Sequence, residues 1–276
     1  METTIHDAMA AVGLHPHKPI DIPATGKITR FRLAGDKSGS KNGWAVLNGD
    51  ADSFGAFGSW KTGETHNWHP APSKPQTPAE RAATAKRLAD IRQALAQERE
   101  AVQAAAAAKA QRLWRTARPA SHNHPYLVKK NVSSYGLRLL RNALLVPART
   151  PDGVLTTLQF IDQDGVKRFL TGGRISGCYC AIGRMGNTLL LAEGFATAAT
   201  LHQATGHAAA ACFSCGNLLA VARAMRDKYP HIQLIVCADN DRHTPGNPGL
   251  TKATEAARAV GALLAVPFER GSPCPI

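Results

Sequence analysis

Two short segments of this chain place carboxylates directly after runs of apolar residues. Leu189-Leu190-Leu191-Ala192 ends in Glu193-Gly194, and Ile235-Val236-Cys237-Ala238 ends in Asp239-Asn240-Asp241. Apolar runs of this length, bounded by turn residues, read as parallel strands buried on both faces. In an open α/β sheet the C-terminal ends of the strands are where ligands bind. Carboxylates there suit Mg²⁺, which takes one or two of them and fills its other positions with water and phosphate oxygens. A helix cap or a solvated loop accounts for any one of the three acids. Three acids at two strand ends favour a metal site, with Glu193, Asp239 and Asp241 sharing one ion.

The elements that must position these acids alternate strand and helix. Residues 195–204 have helical composition and are closed by Gly206; residues 208–213 form a second buried run before a Ser-Cys-Gly turn. Leu218, Val221, Ala222 and Met225 repeat at helical spacing, and Pro230 ends that helix because the residue before a proline disfavours αR. Residues 233–238 form the strand that delivers the two Asp. A third helix over 250–260 is capped by Gly261, and 262–266 is the last strand. The order β-α-β-α-β-α-β predicts a parallel sheet with right-handed crossovers.

A strand ending in Glu193-Gly194, followed two helices later by a strand ending in Asp239-x-Asp241, resembles the Toprim domain shared by DnaG-type primases, topoisomerases and some nucleases. The helix opening Glu193-Gly194-Phe195-Ala196-Thr197-Ala198-Ala199-Thr200 is similar to the version in plasmid and phage primases. Upstream, His124-Pro125-Tyr126-Leu127 opens a block that runs through Leu144-Leu145-Val146-Pro147, Leu158-Gln159-Phe160-Ile161-Asp162 and Lys167-Arg168-Phe169-Leu170. This block resembles the basic subdomain that precedes Toprim in such primases. The resemblance covers residues 120–268, with a weaker one over 26–68. It implies an α/β fold: a Toprim-like parallel sheet with flanking helices, preceded by a basic α+β subdomain, a long helix and a small N-terminal β-rich unit. The expected divisions are 1–76, 77–118, 119–184 and 185–276.

What the resemblance implies chemically is a DNA primase, a nucleotidyltransferase that makes short oligonucleotides on single-stranded DNA with Mg²⁺ or Mn²⁺. Glu193, Asp239 and Asp241 would hold the metal. Glu193 would also assist deprotonation of the attacking hydroxyl, and Lys167 would contact NTP phosphate. Lys129, Lys130, Arg138, Arg141, Arg149, Arg168 and Arg174 would line one nucleotide- and DNA-binding groove leading to the acids. Single-stranded template, NTPs and a replicative helicase are the implied partners. A Toprim nuclease uses the same acids with water as nucleophile, and a non-catalytic single-stranded-DNA-binding protein would keep the fold as scaffold. A topoisomerase is disfavoured, since Tyr126, Tyr135, Tyr179 and Tyr229 lie in loops or ordinary packing contexts. The chain departs from DnaG-type enzymes in carrying Thr197 where they often have another Asp, and in lacking their further acids after the last strand.

Composition fits a polyanionic partner. The net charge is +13, which argues about association rather than fold. Residues 127–184 hold nine Lys or Arg against three acids, whereas 185–276 hold seven against six, so the basic excess lies beside the acidic site and not in it. That layout holds phosphates next to metal-binding carboxylates. Of the six cysteines only Cys212 and Cys215 have ligand spacing, and with no second pair no zinc site is expected. No G-x-x-x-x-G-K-[ST] loop, no zinc ribbon, no signal peptide and no long apolar run occurs, so a soluble cytoplasmic chain with reduced thiols and no membrane partner is expected.

The first third is less patterned. Residues 1–18 show no strong periodicity. Frequent Gly turns between residues 28 and 68 predict a small antiparallel β unit. It carries Trp44, Phe54, Phe57, Trp60 and Trp68 among Lys37, Lys41 and Lys61. Such rings either fill a small core, which is favoured, or form a platform that stacks single-stranded bases. Pro70, Pro72, Pro75 and Pro78 mark a linker, and Thr77-Pro78-Ala79-Glu80 reads as a capping box opening a helix to Thr116. Leu88, Ile91, Leu95 and Val102 fall on one seam, but the alanine run 104–108 gives it little to bury, which predicts an exposed or intramolecularly packed spacer helix rather than a coiled coil.

Overall fold

The computed structural model describes residues 4–48, 54–69 and 77–267. The proline linker at 70–76, the terminal segment from Phe268 with Cys274, and the side chains of Glu80, Leu88 and Ile91 lie outside the described residues. The chain forms two compact units, Met1–Ala96 and Gln97–Ile276. Among the described residues no helix is long and apolar enough to cross a membrane.

The first unit opens with α1 (Ile5–Ala11), set by a capping box between Thr4 and Asp7. Strands β1 (Thr29–Phe31), β2 (Gly43–Asn48), β3 (Phe54–Ser59) and β4 (Thr65–Trp68) follow as one antiparallel sheet in sequence order. Alternation along the strands gives the sheet two buried faces. Phe31, Ala45 and Phe57 pack with Ile5, Met9 and Leu14, whereas Trp44, Val46 and Ala56 pack with Leu95 of α2 (Pro78–Thr116). Trp44, Phe54 and Phe57 are buried, so these rings are core and not a stacking platform. Trp60 is part-buried beneath Arg30, and Lys61 is paired with buried Asp36 at 3.0 Å.

The helix read from 77 to 116 is present as α2, in the intramolecularly packed form of the two expected. Leu95 belongs to the core of the first unit, while Ala110, Leu113, Trp114 and Ala117 pack in the second. The unit boundary therefore falls inside the helix and not at its ends.

The second unit contains two five-stranded sheets. In the first, β5 (Arg118–Pro119), β6 (Arg138–Leu140), β7 (Ala143–Arg149), β8 (Leu155–Ile161) and β9 (Lys167–Phe169) run antiparallel in that order, with α3 (Pro125–Lys130) between β5 and β6. One face, carrying Leu145, Leu155 and Leu158, packs on α2; the other, carrying Leu144, Val146 and Ile161, joins the core of the second sheet.

The second sheet has the order β10-β12-β11-β13-β14, from β10 (Cys180–Ile182), β11 (Thr188–Ala192), β12 (Ala208–Ala211), β13 (Gln233–Cys237) and β14 (Leu263–Ala265). The four later strands are parallel, as the β-α-β reading requires. Strand β10 adds an antiparallel edge to β12, so this sheet begins before residue 185 and is not purely parallel. Alternation again separates the faces. Leu190, Ala192, Ala209 and Ala211 pack with α4 (Phe195–Thr205), whereas Leu189, Leu191, Leu234 and Val236 pack with α5 (Cys215–Lys228) and α6 (Pro248–Val260). Burial on both faces explains why β11 is apolar from Leu189 to Ala192.

Candidate active site

Parallel pairing of Ala192 with Cys237 brings β11 and β13 to an end at the same level. Glu193 therefore leaves one strand beside the point where Asp239 and Asp241 leave its neighbour. Each acid is half-buried. The Glu193 carboxylate lies near the backbone N–H of Cys215, the first residue of α5, whose N-cap Ser214 makes no side-chain cap bond. A helix N-terminus is a setting that favours a negative charge. Burial outweighs it: with repulsion from Asp239 next in size, the Glu193 pKa lies above the ordinary carboxylate value. Asp239 is raised in the same way, by burial and then by Asp241, with Lys167 opposing.

The loop carrying the two Asp is held from α6. Asn247, in the left-handed region at φ 40°, caps that helix: its Oδ1 accepts from Asp241 N at 3.0 Å and from Leu250 N at 3.4 Å. Its Nδ2 donates to Asn240 Oδ1 at 2.9 Å. Gly249 lets the loop lie flat on the helix, since a Cβ there would sit 2.4 Å from the Asp239 carbonyl and 2.8 Å from Asp241 Oδ2. Neither Asn247 nor Gly249 was singled out from sequence, where Asn-Pro-Gly reads only as a turn. Asn217 was also missed. Buried in α5, it donates to the carbonyls of Ile175, Cys178 and Cys212 and accepts from Gly177 N, tying the segment before β10 to the sheet.

The basic candidates separate into groups. Lys167 stands opposite Ile161, on the sheet face that shares a core with Ala192 and Phe195. Its ammonium would lie 3.7 Å from a Cβ on Gly194. Much of the side chain is exposed, yet partial desolvation, followed by repulsion from Lys130, pulls its pKa below the ordinary lysine value against the attraction of Glu193 and Asp239. Lys130 therefore lies near Lys167.

Arg168 faces the other way, opposite Phe160 on the α2 side. Arg138 and Arg149 are on that side too, their guanidinium carbons 4.8 and 5.8 Å from the centre of the Trp114 ring. Arg174 is exposed and donates from Nε to the Ser176 carbonyl at 3.2 Å, Arg141 sits at positive φ in the β6–β7 turn, and Lys129 is exposed at the end of α3. These residues do not line one groove, because β-strand alternation sends neighbours to opposite faces. Cys212 is buried in the core, and Cys215 opens α5 beside Glu193.

Among the described residues no three His, Cys, Asp or Glu side chains are gathered to hold a metal ion. Three carboxylates closed on one ion is therefore not the arrangement here. The donor chemistry does fit an open site, in which one or two acids bind a cation and water or phosphate completes its shell. Glu193 and Asp239 repel each other from adjacent strand ends, a cost that a cation relieves.

This fold and its strand-end acids are like those of a Toprim domain, and the Toprim domain family model matches residues 188–272. The chain at large is similar to DNA primase TraC of Escherichia coli, 36% identical over 255 residues, which is 88% of this chain and 24% of that protein. A second Escherichia coli DNA primase TraC is 35% identical over 258 residues, 88% of this chain and 18% of the relative. The chain thus spans about a quarter or less of the length of these curated relatives. The primase fragment of the bacteriophage T7 primase-helicase protein superposes with a TM-score of 0.39 at 13% identity, over 51% of this chain and 63% of that one, too loosely to equate individual residues.

Proposed function

We propose that this chain is the catalytic core of a plasmid- or phage-type DNA primase. It would transfer a nucleoside monophosphate to a 3′-hydroxyl opposite a single-stranded DNA template and release pyrophosphate. The observation that carries the proposal is the juxtaposition of Glu193 with Asp239 and Asp241 at two adjacent strand ends, with Lys167 facing them. Similarity to the TraC primases supports the choice of reaction.

The site residues divide the work between charge and position. One or two of Glu193, Asp239 and Asp241 would hold Mg²⁺ or Mn²⁺, with water and phosphate oxygens completing its shell; when bound, the ion supplies charge neutralisation and in-line alignment for phosphoryl transfer. Glu193, beside the first turn of α5, would draw the proton from the attacking hydroxyl. Lys167, with Lys130 beside it, would bind the nucleotide phosphates. Asn247 and Gly249 would hold the aspartate loop in register. NTPs, single-stranded template and a replicative helicase are the partners of this reading, and the cytoplasm its location.

The test is incubation with single-stranded template, NTPs and Mg²⁺ or Mn²⁺. New oligonucleotides are expected. Shortened template would identify a nuclease instead, and neither outcome would leave a non-catalytic single-stranded-DNA-binding protein.

A further inference from the structure

Residues 101–151 contain nine Lys or Arg and not a single Asp or Glu. The fold distributes these charges over both sides of the antiparallel sheet. Lys130 lies near Lys167. On the opposite side, Lys109, Arg112 and Arg115 recur every third residue along the exposed flank of α2, a spacing that puts them on one stripe of the helix. Arg118 continues from the end of that helix as an exposed residue of edge strand β5.

Trp114, part-buried, lies between this stripe and the sheet, with Arg138 and Arg149 against its ring. Arg138 also donates to the Trp114 carbonyl, which fixes the end of α2 against β6. Among the described residues none of these six cations makes an ion pair. A cationic surface of this kind would normally be relieved by interspersed acids, and none lies within residues 101–151.

We infer that the C-terminal half of α2, with β6 and the end of β7, is a second nucleic-acid surface that holds the phosphates of single-stranded DNA on the face of the sheet turned away from the acids. The inference rests on the primase reading for the identity of the strand. Charge complementarity selects a polyanion. Trp114 packs against the sheet core with Arg138 and Arg149 on its ring, so it positions those guanidinium groups and offers no open face to a base. Lys167 and Lys130 would grip the nucleotide at the reacting end, while this stripe would hold template away from it. Template bound at a second place stays at high local concentration while a weakly held NTP exchanges.

The experiment measures binding of a labelled oligothymidylate by fluorescence anisotropy across a salt series. It compares the full chain with K109Q/R112Q/R115Q and with the charge-preserving R112K/R115K. All three side chains are exposed and Gln is a good helix former, so circular dichroism should show an unchanged helix content. The triple variant is expected to bind about tenfold more weakly at low salt, and its log–log salt slope to be shallower by about 2, from roughly 0.7 per lost phosphate contact. R112K/R115K should keep the wild-type slope. Equal affinity and slope for the triple variant and the wild type would overturn this inference and leave the primase reading standing. A wild-type chain that binds no oligonucleotide would overturn both.

Discussion

Gly249→Ala tests whether the aspartate loop is held by close packing on α6. In an unstrained helix the change stabilises by about 0.5–1 kcal/mol, because alanine has less backbone freedom to lose. At Gly249 the added Cβ meets the Asp239 carbonyl at 2.4 Å and Asp241 Oδ2 at 2.8 Å, against 3.4–4 Å for ordinary contact. The first of these neighbours is backbone, so a loop must move by about an ångström, and overpacking of that kind costs about 1–3 kcal/mol. The net expectation is a loss of about 1–2 kcal/mol, with the two acids displaced together. Gly216→Ala is the internal control: it too lies in the first turn of a helix, but its nearest neighbour is Ser214 Oγ at 4.0 Å. It should be neutral or stabilising by up to about 1 kcal/mol. Urea unfolding followed by circular dichroism separates the two. A Gly249→Ala chain as stable as Gly216→Ala, or more so, would refute the packing argument.

Three further outcomes follow from the same geometry. Glu193 and Asp239 have raised pKa values, so the folded chain retains protons that the unfolded chain has released, and stability falls as pH rises through the interval between the unfolded and folded values. Asp239→Asn in chelator should therefore raise the melting temperature at neutral pH and lose that gain below about pH 3, where both states are protonated; a gain independent of pH would count against the repulsion. Lys167→Ala should raise the KM for NTP more than it weakens template binding, and an equal loss of both would assign Lys167 to the template path. Asn217→Ala strands three carbonyls and one N–H in the interior, so it should cost about 2–4 kcal/mol in urea unfolding; a cost below about 1 kcal/mol would mean that water replaces the amide.

The acidic site was legible because two physical signals coincide there. Doubly buried parallel strands read as unbroken apolar runs, and the carboxylates that follow them mark the strand ends. The alternating order of strands and helices from Thr188 to Ala265 followed from the same pattern. Strand β10 did not, since Cys180–Ile182 is three residues long and owes its place to pairing with Ala209–Ala211. Helix α1 escaped for a similar reason: seven residues carry little periodicity, and Ile5 and Met9 are fixed by a core built from residues far along the chain. Net charge located the basic excess but not its sides. Lys167 and Arg168 are adjacent in sequence yet face opposite layers, which only the register of β9 against β8 reveals. Asn217 was invisible because its hydrogen-bond partners in the 175–178 segment lie about forty residues away and are all backbone groups.

In this reading the strand-end acids drive nucleotidyl transfer. The direct measurement is incorporation of labelled NTP into oligonucleotides on a single-stranded template with Mg²⁺ or Mn²⁺, for the wild type, Glu193→Gln and Asp239→Asn, with template binding followed in parallel. The wild type is predicted to make short products, and each variant to lose activity by about a hundredfold or more while still binding template. Variants that synthesise at the wild-type rate, or a wild type that binds template and metal yet makes no product, would contradict it.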